Sequence, residues 1–156
     1  MSLTTNLQKL WPRALGVGVI NAVLLSAVMV PVNLAGISPM PEPPSLAFAE
    51  TLLGTALPLP VGLLFHVAYV TLWSLLFIAA AYPDLAFTRA LALGLVLWLA
   101  ALVIFFPVIG WGVLGLDVSP ALIVASLVPH LLFAVFLWGL GRLMIPDTGS
   151  VTGRSA

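Results

Sequence analysis

The chain has no cysteine and very little charge, and both absences narrow what it can be. Without cysteine it has no disulfide, no thiolate metal site, no cysteine nucleophile and no haem attached through a Cys-x-x-Cys-His motif. Only 6% of its 156 residues are charged and the formal net charge is zero, so no basic surface is available to bind nucleic acid. A soluble domain of this length carries far more charge.

Apolar sequence takes the place of the missing charge. Hydrophobic residues make up 62% of the chain, and the mean hydropathy is +1.24. Four long apolar stretches cover residues 14–36, 60–82, 90–110 and 120–143. At about 1.5 Å per residue, a helix of each length crosses a hydrocarbon core of about 30 Å. The sequence therefore predicts an all-α polytopic membrane protein, with residues 1–156 as one membrane domain built on a four-transmembrane-helix bundle.

The segments between the spans also carry structural signals. Prolines crowd the start of residues 37–59, which predicts an extended outer loop. Within this loop Ser45 is a candidate N-cap for a short interfacial helix on which Glu50 faces water. Ser119 and Pro120 suit the N-cap and first position of the last span.

The placement of charge predicts the orientation. The basic residues fall at the ends of the spans that share one side, namely Lys9, Arg13, Arg89, Arg142 and Arg154. The loops on the other side contain acidic residues and no basic ones. By the positive-inside rule, both termini are cytoplasmic in a bacterial inner membrane. We expect residues 1–13 to lead in along the membrane surface and residues 144–156 to form a flexible tail.

The two halves of the chain resemble each other. Three pairs of residues share a separation of 76 positions, namely Arg13 with Arg89, Gly18 with Gly94 and Pro31 with Pro107. This spacing predicts a tandem duplication of one helical hairpin, with the first copy at 14–82 and the second at 89–143. The copies would then be related by a pseudo-twofold axis along the membrane normal.

The only two histidines of the chain, His66 and His130, lie in the second and fourth spans. An aromatic residue stands three positions after each histidine, and a small residue stands four positions before each histidine. At helical spacing, these neighbours share a face with the histidines. The candidate lining of a site is therefore Gly62, Tyr69, Trp73, Ser126 and Phe133, with Asn21 from the first span.

Three interpretations of the histidine pair stay open. Both imidazoles can be structural, each satisfied by a carbonyl or hydroxyl group on a neighbouring helix. Alternatively, the small residues give clearance for a macrocycle, so that His66 and His130 ligate a b-type haem or a chlorophyll-type pigment. A third hypothesis is a small-molecule or lipid channel between the two repeats, with a cavity lined by His66, His130, Tyr69 and Asn21.

Catalytic and transport residues are scarce. No acidic or basic residue lies well inside a span, and no carboxylate stands near a histidine in the sequence to orient it as a base. The sequence therefore favours a non-enzymatic protein, and specifically a structural or accessory subunit. Its expected partners are the lipid bilayer and other membrane proteins or further copies of itself.

The pattern of an apolar helix with a histidine and a following aromatic, together with a proline near the end of the third span, resembles a family of small bacterial membrane proteins. The segments that carry it are Leu64 to Tyr69, Phe106 to Gly110 and Leu127 to Phe133. They are similar to the YagU-like and related four-helix inner-membrane proteins. This resemblance implies a fold and a location, and no activity.

Overall fold

The computed structural model describes residues 3–145, and these residues form helices and loops with no β-strand. In chain order the helical elements are α1 (Leu3–Leu34), α2 (Pro44–Leu53), α3 (Leu59–Ala81), α4 (Phe87–Ala100), a π-helical turn (Ala101–Phe105), α5 (Phe106–Val108), a 3-10 turn (Val113–Gly115) and α6 (Ala121–Met144). Within the described part of the chain, four segments are long and apolar enough to cross a membrane, namely Gln8–Leu34, Leu59–Ala81, Phe87–Val108 and Ala121–Met144. The predicted all-α, four-span fold is confirmed.

The first helix begins earlier than the sequence indicates. It starts at Leu3 and continues through Pro12, where the sequence predicts only a surface lead-in before residue 14. Leu10 explains the difference, because its side chain is buried in the same apolar cluster as Leu85 and Ile145. Tertiary packing therefore maintains the helix across a proline that weakens it locally. The predicted tail lies outside the described residues from position 146 onward.

The predicted helix in the outer loop is present as α2, with a different start and a different role for Glu50. Pro43 precedes the helix and Pro44 occupies its first turn, so Ser45 lies inside the helix and makes no capping bond. Glu50 is half-buried, and its Oε1 accepts a hydrogen bond of 2.8 Å from the backbone N–H of Leu57. The carboxylate thus ties α2 to the segment that leads into α3.

The third span contains the π-helical turn. The backbone N–H of Phe106 bonds to the carbonyl of Ala101, five residues earlier, instead of the usual four. Pro107 follows directly, and a proline at this point has no N–H and crowds the carbonyl four residues before it. The wider turn accommodates the proline ring. It also brings Phe106 into the core, where its side chain is 1% exposed.

Within each half, the two spans pack along each other, α1 with α3 and α4 with α6. The halves then meet along α1 and α6, whereas α3 and α4 barely touch. A twofold arrangement of the halves would make these two contacts equivalent, and they are not. The difference follows from α2, which packs against the outer part of α3 and has no counterpart in the short loop after α5.

Glycines allow the close approach of the spans within each half. A Cβ atom on Gly18 would lie 2.7 Å from the Cα of Thr71, and one on Gly94 would lie 2.7 Å from the carbonyl oxygen of His130. Small residues at such crossings let two helix backbones approach inside a membrane. Gly94 faces α6 at the histidine of its own half, whereas Gly18 faces α3 five residues after His66. The two contacts are thus similar but not equivalent, and the duplication stays a prediction.

Charged groups lie at the two ends of the bundle. The basic residues at one end are Lys9, Arg13, Arg89 and Arg142; Arg154 lies outside the described residues. At the other end, partial burial and the Glu50 carboxylate raise the pKa of Glu42 above its ordinary value. Which end faces the cytoplasm stays a prediction.

Candidate functional site

A cavity of about 470 Å³ lies between the two halves of the bundle. Side chains of α1, α3, the third span and α6 line it, and the segment before α2 forms its outer end at Ser38 and Met40. His66 is seven residues from the start of α3, which places it about 10 Å below the outer end of that helix. The cavity therefore reaches from the outer loop into the region that hydrocarbon surrounds.

The structure brings five of the eight predicted site residues to this cavity, namely His66, His130, Tyr69, Ser126 and Phe133. The other three, Gly62, Trp73 and Asn21, do not line it. Both histidines thus face one space, although they belong to different halves of the chain.

The protonation of the His130 ring follows from its hydrogen bond. Its Nδ1 lies 2.7 Å from the backbone carbonyl oxygen of Ser126, one turn earlier in α6. A carbonyl oxygen only accepts hydrogen bonds, so Nδ1 carries the proton and donates it. In the neutral ring, Nε2 is then an acceptor. Among residues 3–145, no hydrogen bond to this Nε2 is present.

His66 contains a hydrogen-bonding atom that is not satisfied. Its ring approaches the backbone carbonyl of Ala22 on α1. Its Nε2 is nevertheless buried, with no hydrogen-bond partner in the part of the chain that the structure describes. A buried polar atom without a partner is unfavourable in an apolar interior, and such atoms are uncommon in folded proteins.

Ser126 holds two helices together rather than offering a free hydroxyl group. Trp98 of α4 donates from Nε1 to the Ile123 carbonyl at 3.1 Å and to the Ser126 Oγ at 3.2 Å. The Ser126 hydroxyl in turn donates to the Ile123 carbonyl at 3.2 Å. The sequence gives no signal for the role of Trp98, because a tryptophan in a span is ordinarily a packing or interface residue.

Asn21 joins the halves outside the cavity. Its side chain is fully buried, and Nδ2 donates to the backbone carbonyl of Phe133 over 3.3 Å. Its Oδ1 has no partner within the described residues. Polar side chains that bond across helices are common in membrane bundles. Asn21 is not among the residues that line this cavity, because its side chain is used in the α1–α6 contact.

The proposed clearance beside His66 is absent, so this part of the haem hypothesis is wrong. A Cβ atom on Gly62 would lie 2.7 Å from the Cβ of Leu46, because α2 packs directly against this glycine. Gly62 therefore gives room to a helix and leaves none for a macrocycle. Trp73 also lies outside the cavity, where its ring makes an edge contact with Tyr69 at 6.3 Å between centroids.

Four rings form an aromatic cluster, Phe48, Phe65, Tyr69 and Phe105, that bridges α2, α3 and the third span. Phe48 contacts Phe65 at 6.1 Å and stacks on Phe105 at 4.7 Å, and Tyr69 contacts Phe105 at 6.1 Å. All four rings line the cavity. The sequence does not reveal this cluster, because Phe48 belongs to the outer loop and reaches the others only when α2 folds onto α3.

The cavity borders the bundle surface on the side of α3 that faces the third span. Three residues of α3 that line it, Ala68, Tyr69 and Leu72, are also exposed on the bundle surface. The aromatic cluster supplies the contacts across this side, where the two backbones do not pack. An exposed face at this depth of a spanning helix faces lipid.

The lining limits what the cavity can hold. It is mostly apolar, and its polar members are neutral groups such as Ser26, Asn33 and the two histidines. Within residues 3–145, no acidic residue, lysine or arginine lines it. A charged ligand group would therefore lose its hydration without gaining a counter-charge. An apolar molecule with a small neutral polar group fits this lining.

Comparison with protein-family models, with curated proteins and with solved structures finds no match for the chain. The fold and the four apolar helices define it as a multi-pass integral membrane protein. The resemblance to the YagU-like proteins stays a prediction.

Proposed function

We propose that this protein binds a mainly apolar small molecule or lipid inside the bilayer, in the cavity between its two halves. The observation that carries the proposal is a cavity of about 470 Å³ onto which both histidines of the chain converge. Its volume falls in the range of about 300–1,000 Å³ that is usual for small-molecule sites. Apolar walls with a few polar groups are also typical of such sites.

The ligand reaches the cavity from the membrane. The side between α3 and the third span is bridged by the rings of the aromatic cluster, and the lining residues Ala68 and Leu72 are exposed there. A molecule dissolved in the lipid therefore needs only to displace side chains, and no helix has to move out of its packing. Aromatic side chains reorient far more easily than packed helices separate.

Binding explains more of the molecule than a purely structural role does. An accessory subunit that only packs against other proteins has no need for a cavity lined by residues of both halves. A partner protein could still cover the exposed apolar surface. We propose no enzymatic step, since no carboxylate among the described residues lines the cavity to orient either histidine.

A haem or pigment held by His66 and His130 is the alternative that the sequence raises. The α2 helix occupies the space beside Gly62, so a macrocycle could bind only if α2 moved away from α3. Purified protein, expressed with haem supplied, tests this alternative by its absorption spectrum. A Soret band that disappears in a His130→Phe variant would favour haem over an apolar ligand.

The binding proposal is tested with a photoreactive alkyl diazirine added to the protein in lipid nanodiscs. We expect crosslinks, mapped by mass spectrometry, to concentrate on cavity residues such as Tyr69 and Phe105. An Ala68→Trp variant narrows the opening and should reduce this labelling several-fold. Ala80→Trp is the matched control, because Ala80 is exposed on the same helix and does not line the cavity. Labelling spread evenly over the lipid-facing surface would contradict the proposal.

A further inference from the structure

We infer that the molecule bound in this cavity carries a hydroxyl group, as a long-chain alcohol or a phenol does, and that His130 holds that group. This inference rests on the proposed binding function and adds the chemical class of the ligand. It comes from the hydrogen bond that the His130 ring already makes and from the one that it lacks.

His130 requires a donor. Its Nδ1–H is committed to the Ser126 carbonyl at 2.7 Å, which leaves the Nε2 lone pair as the free hydrogen-bonding position of the neutral ring. A hydroxyl group can donate to this atom. A ketone, an ester or an ether has only acceptor oxygens and would leave Nε2 unsatisfied.

His66 does not take part in this contact. Its Nε2 is buried against protein atoms, so a molecule in the cavity does not reach it, and it has no hydrogen-bond partner among the described residues. A hydroxyl group is thus the simplest neutral group that meets the requirement of His130.

The remaining lining excludes the common charged head groups. A carboxylate or an ammonium group would find no side chain of fixed opposite charge among the described residues that line the cavity. Desolvating such a charge without a partner is far more costly than burying a hydroxyl group that makes hydrogen bonds. The Ser126 hydroxyl is occupied by its bonds with Ile123 and Trp98, so it does not compete with His130 for the ligand.

The depth of His130 supports selectivity. The residue lies nine positions after the start of α6, which is about 14 Å along the helix. A hydroxyl group that enters from the hydrocarbon at this depth finds few other partners in the lipid. The Nε2 atom therefore distinguishes an alcohol from an ether of the same length by a hydrogen bond that the surrounding lipid cannot provide.

The test compares a matched pair of probes, 12-bromododecan-1-ol and its methyl ether, with the protein in nanodiscs. Bromine quenches tryptophan fluorescence at short range, and Trp98 and Trp73 lie on helices that border the cavity. We expect saturable quenching by both probes, with the alcohol binding about tenfold more tightly, as one or two hydrogen bonds allow.

Two substitutions at His130 assign the preference to the ring. His130→Phe removes the acceptor and should reduce the preference for the alcohol to about threefold or less, while ether binding is unchanged. His130→Gln places an amide oxygen near the position of Nε2 and should restore part of the preference. Thermal unfolding of both variants, and their binding of the ether, show whether the fold is retained.

The outcomes separate the two proposals. Equal affinity of the wild-type protein for the alcohol and the ether would refute the hydroxyl inference and leave the binding function standing. Quenching that rises linearly with both probes, without saturation, would refute the binding function as well. A preference for the alcohol that survives His130→Phe would overturn the assignment to His130.

Discussion

Gly94 sets the distance between α4 and α6, and replacing it with alanine tests the packing of the second half directly. A Cβ atom at this position would lie 2.7 Å from the carbonyl oxygen of His130 and 3.2 Å from the Cβ of Ala134. The first distance is below the 3.0 Å that real Cβ atoms keep from other heavy atoms. Because the obstacle is backbone rather than a flexible side chain, one helix must shift by several tenths of an ångström.

The cost of this shift can be estimated. Forcing an extra methyl group into a tightly packed region destabilises a protein by typically about 1–3 kcal/mol. Alanine recovers part of this, since it is favoured over glycine within a helix by up to about 1 kcal/mol. We therefore expect Gly94→Ala to lower the free energy of unfolding by about 1–2 kcal/mol.

Gly139 provides the matched control on α6. No heavy atom lies within 4 Å of the Cβ position there, so Gly139→Ala meets no obstacle. Only the helical preference remains, and we expect this variant to be as stable as the parent or up to about 1 kcal/mol more stable. Both variants can be unfolded in mixed micelles by titration with dodecyl sulfate, with helical circular dichroism as the signal.

The opposite signs of the two effects make the test decisive. If Gly94→Ala were as stable as Gly139→Ala, the Cβ position of Gly94 could not lie as close as 2.7 Å to the carbonyl oxygen of His130. The position of the His130 backbone, and with it the orientation of the ring in the cavity, would then need revision.

Four further substitutions probe other contacts. Asn21→Leu should change the free energy of unfolding by less than about 1 kcal/mol, because the lost hydrogen bond is offset by removal of an unpartnered oxygen; a larger loss in the micelle titration would contradict this. Ser119→Ala should lower the free energy of unfolding by about 1 kcal/mol in the same assay, since the Ser119 Oγ accepts a hydrogen bond of 3.2 Å from the backbone N–H of Ala121 at the start of α6. Phe105→Ala should speed both uptake and release of the brominated alcohol in stopped-flow quenching, whereas Phe87→Ala, which removes a ring pair away from the cavity, should not. Glu42 has a raised pKa in the folded protein, so stability should rise slightly as pH falls from neutral toward 4.5; a melting temperature that rises equally in Glu42→Gln would refute this.

The spans could be predicted because a segment that crosses the hydrocarbon core must be apolar and must satisfy its own backbone hydrogen bonds. A helix of about twenty consecutive apolar residues meets both conditions, and few other arrangements do. The same conditions say little about helix ends. Leu10 and Pro12 show this, since the burial of one side chain extends α1 through a proline that sequence alone treats as a boundary.

The convergence of the two histidines on one space could be anticipated from their matching positions in the two halves. Their surroundings could not be, because these depend on how α2 folds onto α3. Gly62 illustrates the limit, since a small residue beside a histidine is compatible with a bound ligand or with a packed helix. The contact of Leu46 with Gly62 shows that a packed helix, and not a bound ligand, fills the space beside this glycine.

The asymmetry of the bundle has a mechanical consequence. The α1–α6 side is closed by backbone packing, whereas ring contacts bridge the α3–α4 side. Each aromatic pair contributes about 0.5–1.5 kcal/mol beyond its buried area, so breaking the contacts of Phe105 with Phe48 and Tyr69 is within reach of thermal fluctuations. The bundle is therefore rigid along the α1–α6 side, and it can open along the α3–α4 side, where only side-chain contacts have to break.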